Sequence, residues 1–250
     1  MSNYIMGRNC LLEVLRFKPE RILKIYVLES KQEKKEAPCE IMDLIQKQKF
    51  PVEYTDKKKL SEMVFSDSHQ GFVAELKPRE YLELKNFFKK IDEREGERRH
   101  DRVLVVMLDT IMDPQNFGAI LRATECFGVS ALVFSKNRGT SLTPAVCKVG
   151  SGASELMEII QVSNLAQTVR RFQEEGFEAI VADATEDGKE LFSYKFSDKT
   201  LLILGSEGKG VQPLIKKQAD VSLKIPLKGK IDSLNVSQAA AVFLAVMSNR

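Results

Sequence analysis

Histidine is nearly missing from this chain: His69 and His100 are the only two among 250 residues. The four cysteines, Cys10, Cys39, Cys126 and Cys147, are scattered and form no Cys-x-x-Cys pair. Neither set has the spacing that holds zinc, so no metal site is predicted. The shortage of histidine also removes a Ser/His/Asp trio, and no G-x-S-x-G occurs, so hydrolase chemistry lacks its usual players. Gly205-Ser-Glu-Gly-Lys-Gly lacks the phosphate-loop spacing G-x-x-x-x-G-K-[ST]. Gly150-Ser-Gly-Ala-Ser-Glu155 starts like G-x-G-x-x-G but lacks the last glycine and follows no strong strand, which argues against a dinucleotide site. No run of about 18 apolar residues is present, so no transmembrane helix and no membrane partner are predicted. The opening Met-Ser-Asn-Tyr-Ile-Met-Gly-Arg-Asn is not read as a signal peptide, and reduced thiols suit a cytoplasmic location.

A 43% hydrophobic content is ample for a packed core, and 29% charged residues suit a chain that faces water. The charge is unevenly placed. Residues 1–102 hold 22 Lys/Arg against 19 Asp/Glu, an excess of three, whereas 103–250 hold 16 of each. Lys57-Lys58-Lys59 and Arg98-Arg99 lie in the first part. A basic surface favours polyanions, although an excess of three is small and solvated lysines explain any single cluster better.

Residues 1–78 read as a small α/β unit. A helix is predicted over Asn9–Arg16, a strand over Ile22–Leu28 and a helix over Cys39–Lys49. Val52–Tyr54 is a brief strand, Asp56 caps a helix through Val64, and Gly71–Leu76 closes as a strand. Residues 79–101 change character. Leu84–Ile91 suits a helix, whereas Asp92–Asp101 is nearly all charge and is predicted to be a solvated linker at the domain boundary. From Arg102 strands alternate with helices. Val103–Leu108 is a nearly unbroken apolar run, the pattern of a strand buried on both faces of a parallel sheet. Further strands are read at Ala131–Phe134, Leu156–Ile160, Ala179–Ala182, Leu201–Leu204 and Val221–Ile225, with helices at 116–127, near Pro144–Val149, and at 164–175, 211–218 and 235–248. The class is α/β with a mainly parallel sheet, in a domain spanning 102–250 that is long enough at about 150 residues to fold alone.

Three phrases have the form of a short apolar run followed by a polar turn: Asp113-Pro-Gln-Asn-Phe-Gly-Ala-Ile-Leu-Arg122, Leu204-Gly-Ser-Glu-Gly-Lys-Gly210, and Ile225-Pro-Leu-Lys-Gly-Lys-Ile-Asp-Ser-Leu-Asn-Val-Ser237. Strands that empty into such loops offer backbone N–H and C=O groups at their carboxyl ends, where ligands bind in α/β proteins. Ordinary explanations exist for each residue. Asn116 could cap the helix it opens, Arg122 could pair with Glu125 at i+3, and Glu207 could be a turn carboxylate. Ser233 or Asn235 could be a plain N-cap. Their joint occurrence at strand ends predicts one composite site.

These phrases resemble the three ordered motifs of the SpoU/TrmH family, the S-adenosylmethionine-dependent RNA ribose 2′-O-methyltransferases of the SPOUT superfamily, and Lys148-Val-Gly-Ser-Gly-Ala-Ser-Glu155 looks like the same family. The likeness spans essentially all of 103–250. Residues 1–78, from Met6-Gly-Arg-Asn to His69-Gln-Gly-Phe-Val-Ala, are similar to the L30e-like substrate-binding domain of its ribosomal RNA branch, whose members methylate a guanosine of 23S ribosomal RNA. The resemblance implies a trefoil-knotted sheet, no metal, and a methyl donor held by Gly205, Ile225 and Leu234. It gives catalytic roles to Arg122, Asn116, Glu207, Ser233 and Asn235, with Glu207 able to pair with Arg122. It also implies a homodimer whose active site lies beside the interface, and the strongly apolar helix 235–248 suits that interface and burial within the monomer equally.

A guanidinium is effectively never neutral, so Arg122 reads as a bidentate grip on phosphate rather than a literal base. Arg8, Lys57, Lys58 and Lys59 are the candidate RNA contacts of the first domain. Two other readings stand beside ribosomal RNA methylation. One is a transfer RNA ribose 2′-O-methyltransferase, a type that often lacks such an N-terminal domain. The other is a non-catalytic RNA-binding ribosome-assembly factor, against which the full set of matched polar residues argues.

Overall fold

The computed structural model describes residues 4–29, 40–97, 102–137, 139–185 and 188–249. The chain forms two compact units, Met1–Glu80 with Leu142–Leu156, and Tyr81–Ser141 with Met157–Arg250.

The first unit is built on four strands: β1 (Tyr4–Met6), β2 (Ile22–Leu28), β3 (Val52–Thr55) and β4 (Phe72–Leu76). Their order is β1-β4-β2-β3, antiparallel except for the β2–β3 pair. β1 and a short 3-10 turn at Pro19–Arg21 were not legible in the sequence, and both are only three residues long. Helix Arg8–Phe17 turns Leu11, Val14 and Leu15 onto the sheet, where they pack with Ile25, Val27, Ile41 and Phe72. Asp56 caps helix Lys57–Val64 as expected, its carboxylate accepting from the Lys59 N–H at 2.8 Å. The predicted helix at Cys39–Lys49 spans Glu40–Gln48, and Cys39 lies outside the described residues.

Helix Pro144–Val149 has its predicted bounds, and with the short helix Ala153–Leu156 it belongs to this first unit. Glu155 explains much of that placement. It is buried, with the Arg21 guanidinium 2.7 Å from Oε2 and Arg79 on Oε1. The Arg21 approach lies off the hydrogen-bond axis, so Oε2 is balanced by charge alone. Arg79 also donates to the Ser154 carbonyl at 2.6 Å, and Arg21 to the Lys77 carbonyl at 2.8 Å. Burial holds the Arg21 guanidinium below its usual range. Beside this cluster lie Cys10 and Cys147, reduced and buried. Burial pushes the Cys10 thiol well above its usual range, and the neighbouring Cys147 adds to the rise, so Cys10 is chemically quiet.

The second unit carries seven strands: β5 (Val103–Asp109), β6 (Ala131–Ser135), β7 (Ile159–Val162), β8 (Glu178–Ala182), β9 (Lys189–Glu190), β10 (Lys199–Gly205) and β11 (Val221–Lys224). Their order is β7-β6-β5-β10-β8-β11-β9, and every pairing is parallel. β5 and β10 are central, which is why both read as continuous apolar runs. The two-residue edge strand β9 was too short to read.

Three expectations are corrected. The strand placed at Leu156–Ile160 is Ile159–Val162, because Ala153–Leu156 is helical. The expected linker at 79–101 is largely structure. Helix Leu84–Glu97 runs well past Ile91, and Phe87, Phe88 and Ile91 bury themselves against Phe172 and Phe177 in the second unit's core. At the start of the charged part Lys89 and Glu93 lie one turn apart with 3.8 Å between their charged atoms. Residues 98–101, with Arg98, Arg99 and His100, lie outside the described residues. The first unit therefore ends at Glu80 rather than at Pro78 and takes in 142–156 besides. A fragment starting at Arg102 would lose three buried apolar side chains, each worth about 1.5–3 kcal/mol, and the second unit begins at Tyr81 instead.

Candidate active site

β5 and β10 lie side by side and end together, with Gly205 in register with Asp109. Beyond them three loops open. The first leads from Asp109 into helix Pro114–Cys126. Asp113 caps that helix, accepting from the N–H groups of Gln115 at 3.2 Å and Asn116 at 3.1 Å, and Pro114 occupies the first turn, where a missing N–H costs nothing. The capping role considered for Asn116 therefore belongs to Asp113. The Asn116 side chain is released for other work and is buried.

The second loop, 205–212, is closed by two backbone hydrogen bonds between Ser206 and Gly210, at 2.9 and 3.1 Å. A Cβ on Gly205 would fall on the Gly210 carbonyl carbon and the Val211 nitrogen, well inside contact distance. The close backbone approach that makes glycine necessary here is to the chain itself. Asp109, fully buried, secures the far end of this loop. Its carboxylate accepts from the Gln212 N–H at 2.7 Å, from Gln212 Nε2 at 2.5 Å and from the Thr110 hydroxyl at 2.9 Å. Sequence reading missed Asp109. The signal was a single carboxylate at the end of an apolar run, which is a weak one.

The third loop, 225–235, feeds helix Val236–Ser248, whose N-cap is Asn235. Asn235 Oδ1 accepts from the Ser237 N–H at 2.8 Å. With its oxygen committed to the cap, Asn235 must point its Nδ2 the other way. That nitrogen donates to Asn116 Oδ1 at 2.9 Å and to Glu207 Oε1 at 2.5 Å. Asn116 Oδ1 is thereby occupied, so Asn116 Nδ2 turns to Glu207 Oε1 at 3.0 Å. Each amide orientation follows from the one before it, and the chain of choices starts at a helix cap. Glu207 Oε1 receives two N–H donors.

The structure thus joins Asn116, Glu207 and Asn235, one from each motif. It does not join the others to them. Arg122 is exposed, lying on another face of its helix from buried Asn116, and makes no hydrogen bond or ion pair among the described residues. The suggested pairs with Glu125 and with Glu207 are not formed, since Glu207 is taken by the two amides. Ser233 is exposed, and among the described residues its side chain bonds only its neighbour Asp232, at 3.1 Å. Ile225 is half-buried and Leu234 is exposed, with Leu227 and Ile231 also exposed on the same loop. Within the described residues no backbone-to-backbone hydrogen bond involves 226–234. On the first unit Arg8 is exposed, its own N–H bound to Gln70 Oε1 at 3.0 Å. Lys59 is engaged with Glu53 at 2.6 Å and Lys58 stands 4.0 Å from Glu62, while Lys57 has no ion pair among the described residues.

A wholly parallel sheet with an amide–carboxylate cluster at its carboxyl end, accompanied by a small mixed-sheet unit, defines a two-unit α/β enzyme without a nucleotide loop. Residues 103–245 match the SpoU rRNA Methylase family, and residues 4–82 match the RNA 2′-O ribose methyltransferase substrate binding family. The chain belongs to the SpoU rRNA Methylase family. It is 33% identical over 245 residues to the 23S rRNA (guanosine-2′-O-)-methyltransferase RlmB of Vibrio vulnificus, covering 98% of this chain and 96% of that one. Among solved structures, the SpoU methyltransferase AviRb of Streptomyces viridochromogenes, in complex with AdoMet, superposes over 99% of this chain and 89% of that one. The TM-score is 0.76 at 18% identity, a likeness of fold. The TrmH/SpoU tRNA modifying enzyme of A. aeolicus superposes over 64% of this chain and 82% of that one, with a TM-score of 0.53 at 26% identity.

Proposed function

We propose that this protein transfers a methyl group from S-adenosylmethionine to the ribose 2′-hydroxyl of a guanosine in 23S ribosomal RNA. The observation that carries the reading is the Asn116–Glu207–Asn235 network, in which three separate motifs meet with every amide orientation determined. The full-length likeness to RlmB supports the substrate. The transfer RNA alternative has less support, because the likeness to the A. aeolicus enzyme covers only 64% of this chain.

The loops fit the donor. Among the described residues, 226–234 make no backbone-to-backbone hydrogen bond, and Ile225 and Leu234 offer apolar surface to an adenine face. When bound, S-adenosylmethionine supplies an electrophilic methyl on a sulfonium. Positioning of the hydroxyl is the chain's largest contribution. Arg122, unpaired and exposed, grips the neighbouring phosphate through its planar fork and keeps positive charge beside the developing alkoxide. Asn116 and Asn235 hold Glu207, which keeps loop 205–210 in place, and Ser233 contacts the ribose.

The same reading places the protein in the cytoplasm as a homodimer of trefoil-knotted second units. Exposed Met112, Leu227, Ile231 and Leu234 near the carboxyl ends of the strands suit an interface beside the site. The packing of helix Val236–Ser248 onto helix Pro114–Cys126 suits a C-terminal segment drawn back through the motif loops. Among the described residues no helix is long and apolar enough to cross a membrane.

Mapping ribose methylation in ribosomal RNA from cells lacking the protein tests the reaction. One 23S guanosine is expected to lose its methyl group. Loss from transfer RNA instead would replace the substrate assignment. An unchanged map, with no heat on titrating S-adenosylmethionine, would favour a non-catalytic RNA-binding factor.

A further inference from the structure

Phe65 is the most exposed large apolar side chain among the described residues, at 96%. It ends helix Lys57–Val64 in the left-handed region, with φ 51°, its N–H on the Ser61 carbonyl. That C-terminal position favours glycine, because a side chain there is strained. A phenylalanine at this place therefore carries two costs, backbone strain, which the capping bonds to the Ser61 carbonyl partly offset, and a ring left in water. Such a combination is characteristic of binding sites rather than of cores.

The ring is held on a rigid base. The Ser61 hydroxyl donates to Asp67 at 2.7 Å and lies 3.3 Å from His69 Nε2. His69 Nδ1 accepts from the Gly71 N–H at 3.0 Å, so the buried imidazole presents Nε2–H to Ser61. Burial and the nearby Lys57 hold its pKa below the usual histidine range, which keeps this neutral form. The loop from Phe65 to Gly71 is thus tied to the helix at its middle. Phe65 lines a shallow cavity of about 620 Å³ together with Lys57, Lys58, Ser61, Glu62 and Asp67. Lys57 has no ion pair among the described residues, and Lys58 reaches Glu62 only at 4.0 Å.

We propose that this cavity is a docking point for one unpaired nucleotide of the RNA substrate. Its base stacks on the Phe65 ring and its flanking phosphates meet Lys57 and Lys58. An exposed aromatic beside solvent-facing ammonium groups is the combination that binds single-stranded nucleic acid, with the ring taking the base and the cations, Lys58 leaving its long 4.0 Å contact with Glu62, taking the backbone. The carboxylates of Glu62 and Asp67 face the same space and can accept from the amino edge of a stacked base, while repelling a phosphate placed directly between them. Lys59 lies outside the site, because Glu53 holds it. The inference rests on the reading of the chain as an RNA methyltransferase and adds the place where its first unit holds an unpaired base.

The chain contains no tryptophan, so Phe65→Trp introduces a single fluorophore at the proposed stacking position. The full-length protein is titrated with an in vitro transcript of 23S ribosomal RNA. Phe65→Ala is expected to weaken binding roughly fivefold to a hundredfold, the span associated with stacking of one base. Phe65→Trp should bind like the unsubstituted protein, and its emission should be quenched by the transcript. Lys57→Ala/Lys58→Ala should lower the salt dependence of binding, which Phe65→Ala should leave unchanged. Wild-type affinity in Phe65→Ala, or an indole emission that does not respond to bound transcript, would overturn the stacking site. Isothermal titration with S-adenosylmethionine and methylation of the same transcript separate the two readings. If the unsubstituted protein neither binds the donor nor methylates, the methyltransferase reading fails; if it does both and Phe65→Ala binds RNA normally, the docking point alone fails.

Discussion

The polar clusters of the two units hold a carboxylate by different means, and only the first encloses it, since Glu207 in the second is exposed. In the first, a full negative charge is enclosed: Glu155 sits between Arg21 and Arg79. In the second, the central polar cluster relies on neutral amides, with Asn116 and Asn235 both donating to one oxygen of Glu207. The ion cluster joins the 142–156 segment to the rest of the first unit, a structural task that charge does at long reach and with little demand on angle. The amide cluster sits at strand ends where chemistry is proposed, and amides set direction without adding net charge. The net charge does not divide in the same way, because the excess of three in residues 1–102 is shared between the first unit and residues 81–102 of the second.

The comparison can be broken at its ionic side first. Glu155→Ala leaves two half-buried guanidinium groups without their anion and is expected to cost up to about 3–5 kcal/mol of stability. Urea denaturation followed by circular dichroism reads the loss, and a cost under about 1 kcal/mol would show that water reaches the cluster. Next comes the amide side and its neighbour. Arg122→Lys keeps the charge and loses the planar fork, so methylation should fall by at least about a hundredfold, near 3 kcal/mol in the barrier. Affinity for S-adenosylmethionine by isothermal titration should stay near normal, and near-normal turnover would refute the bidentate grip.

Asp109→Asn is expected to act the other way round. It replaces an acceptor of three hydrogen bonds with an amide that can satisfy only part of them, at about 1–3 kcal/mol. Because Asp109 secures loop 205–212 rather than facing RNA, the loss should appear mainly as weaker donor binding. A pure fall in kcat would place Asp109 in the chemistry instead.

The smallest effect concerns pH and an exposed ionic site of the first unit. Hydrogen bonds from Lys24 and Lys59 pull the Glu53 carboxyl from 4.5 down to about 2. A folded pKa below the unfolded one means that the contribution is complete above about pH 4.5 and fades as pH falls toward 2. The Tm difference between the wild-type protein and Glu53→Gln should therefore be constant above pH 5 and vanish by pH 2. Glu53 is exposed, so the difference should be small.

Much of this molecule was legible because its second unit obeys a strong pattern. Val103–Leu108 reads as apolar on both faces because β5 lies at the centre of a parallel sheet, flanked by β6 and β10. Asp56 could be read as a cap because a cap needs only a carboxylate and the next three residues. Residues Asn116, Glu207 and Asn235 could be selected because each follows a strand end in a recognisable phrase.

Other features depended on residues far apart in the chain. Glu155 reads as an ordinary helix carboxylate until Arg21 and Arg79 arrive from over seventy positions away in the sequence (155 − 79 = 76). Helix Leu84–Glu97 looked like solvent-facing charge because only Phe87, Phe88 and Ile91 show which core it serves. Local chemistry determined the strands, the caps and the list of polar candidates, since hydrogen-bonded turns and apolar periodicity act over a few residues. Which of those candidates meet, which amide nitrogen faces which carboxylate oxygen, and that Arg122 stays free were decided only by the tertiary structure. Register, burial and the direction of a hydrogen bond are properties of pairs that the chain brings together by folding.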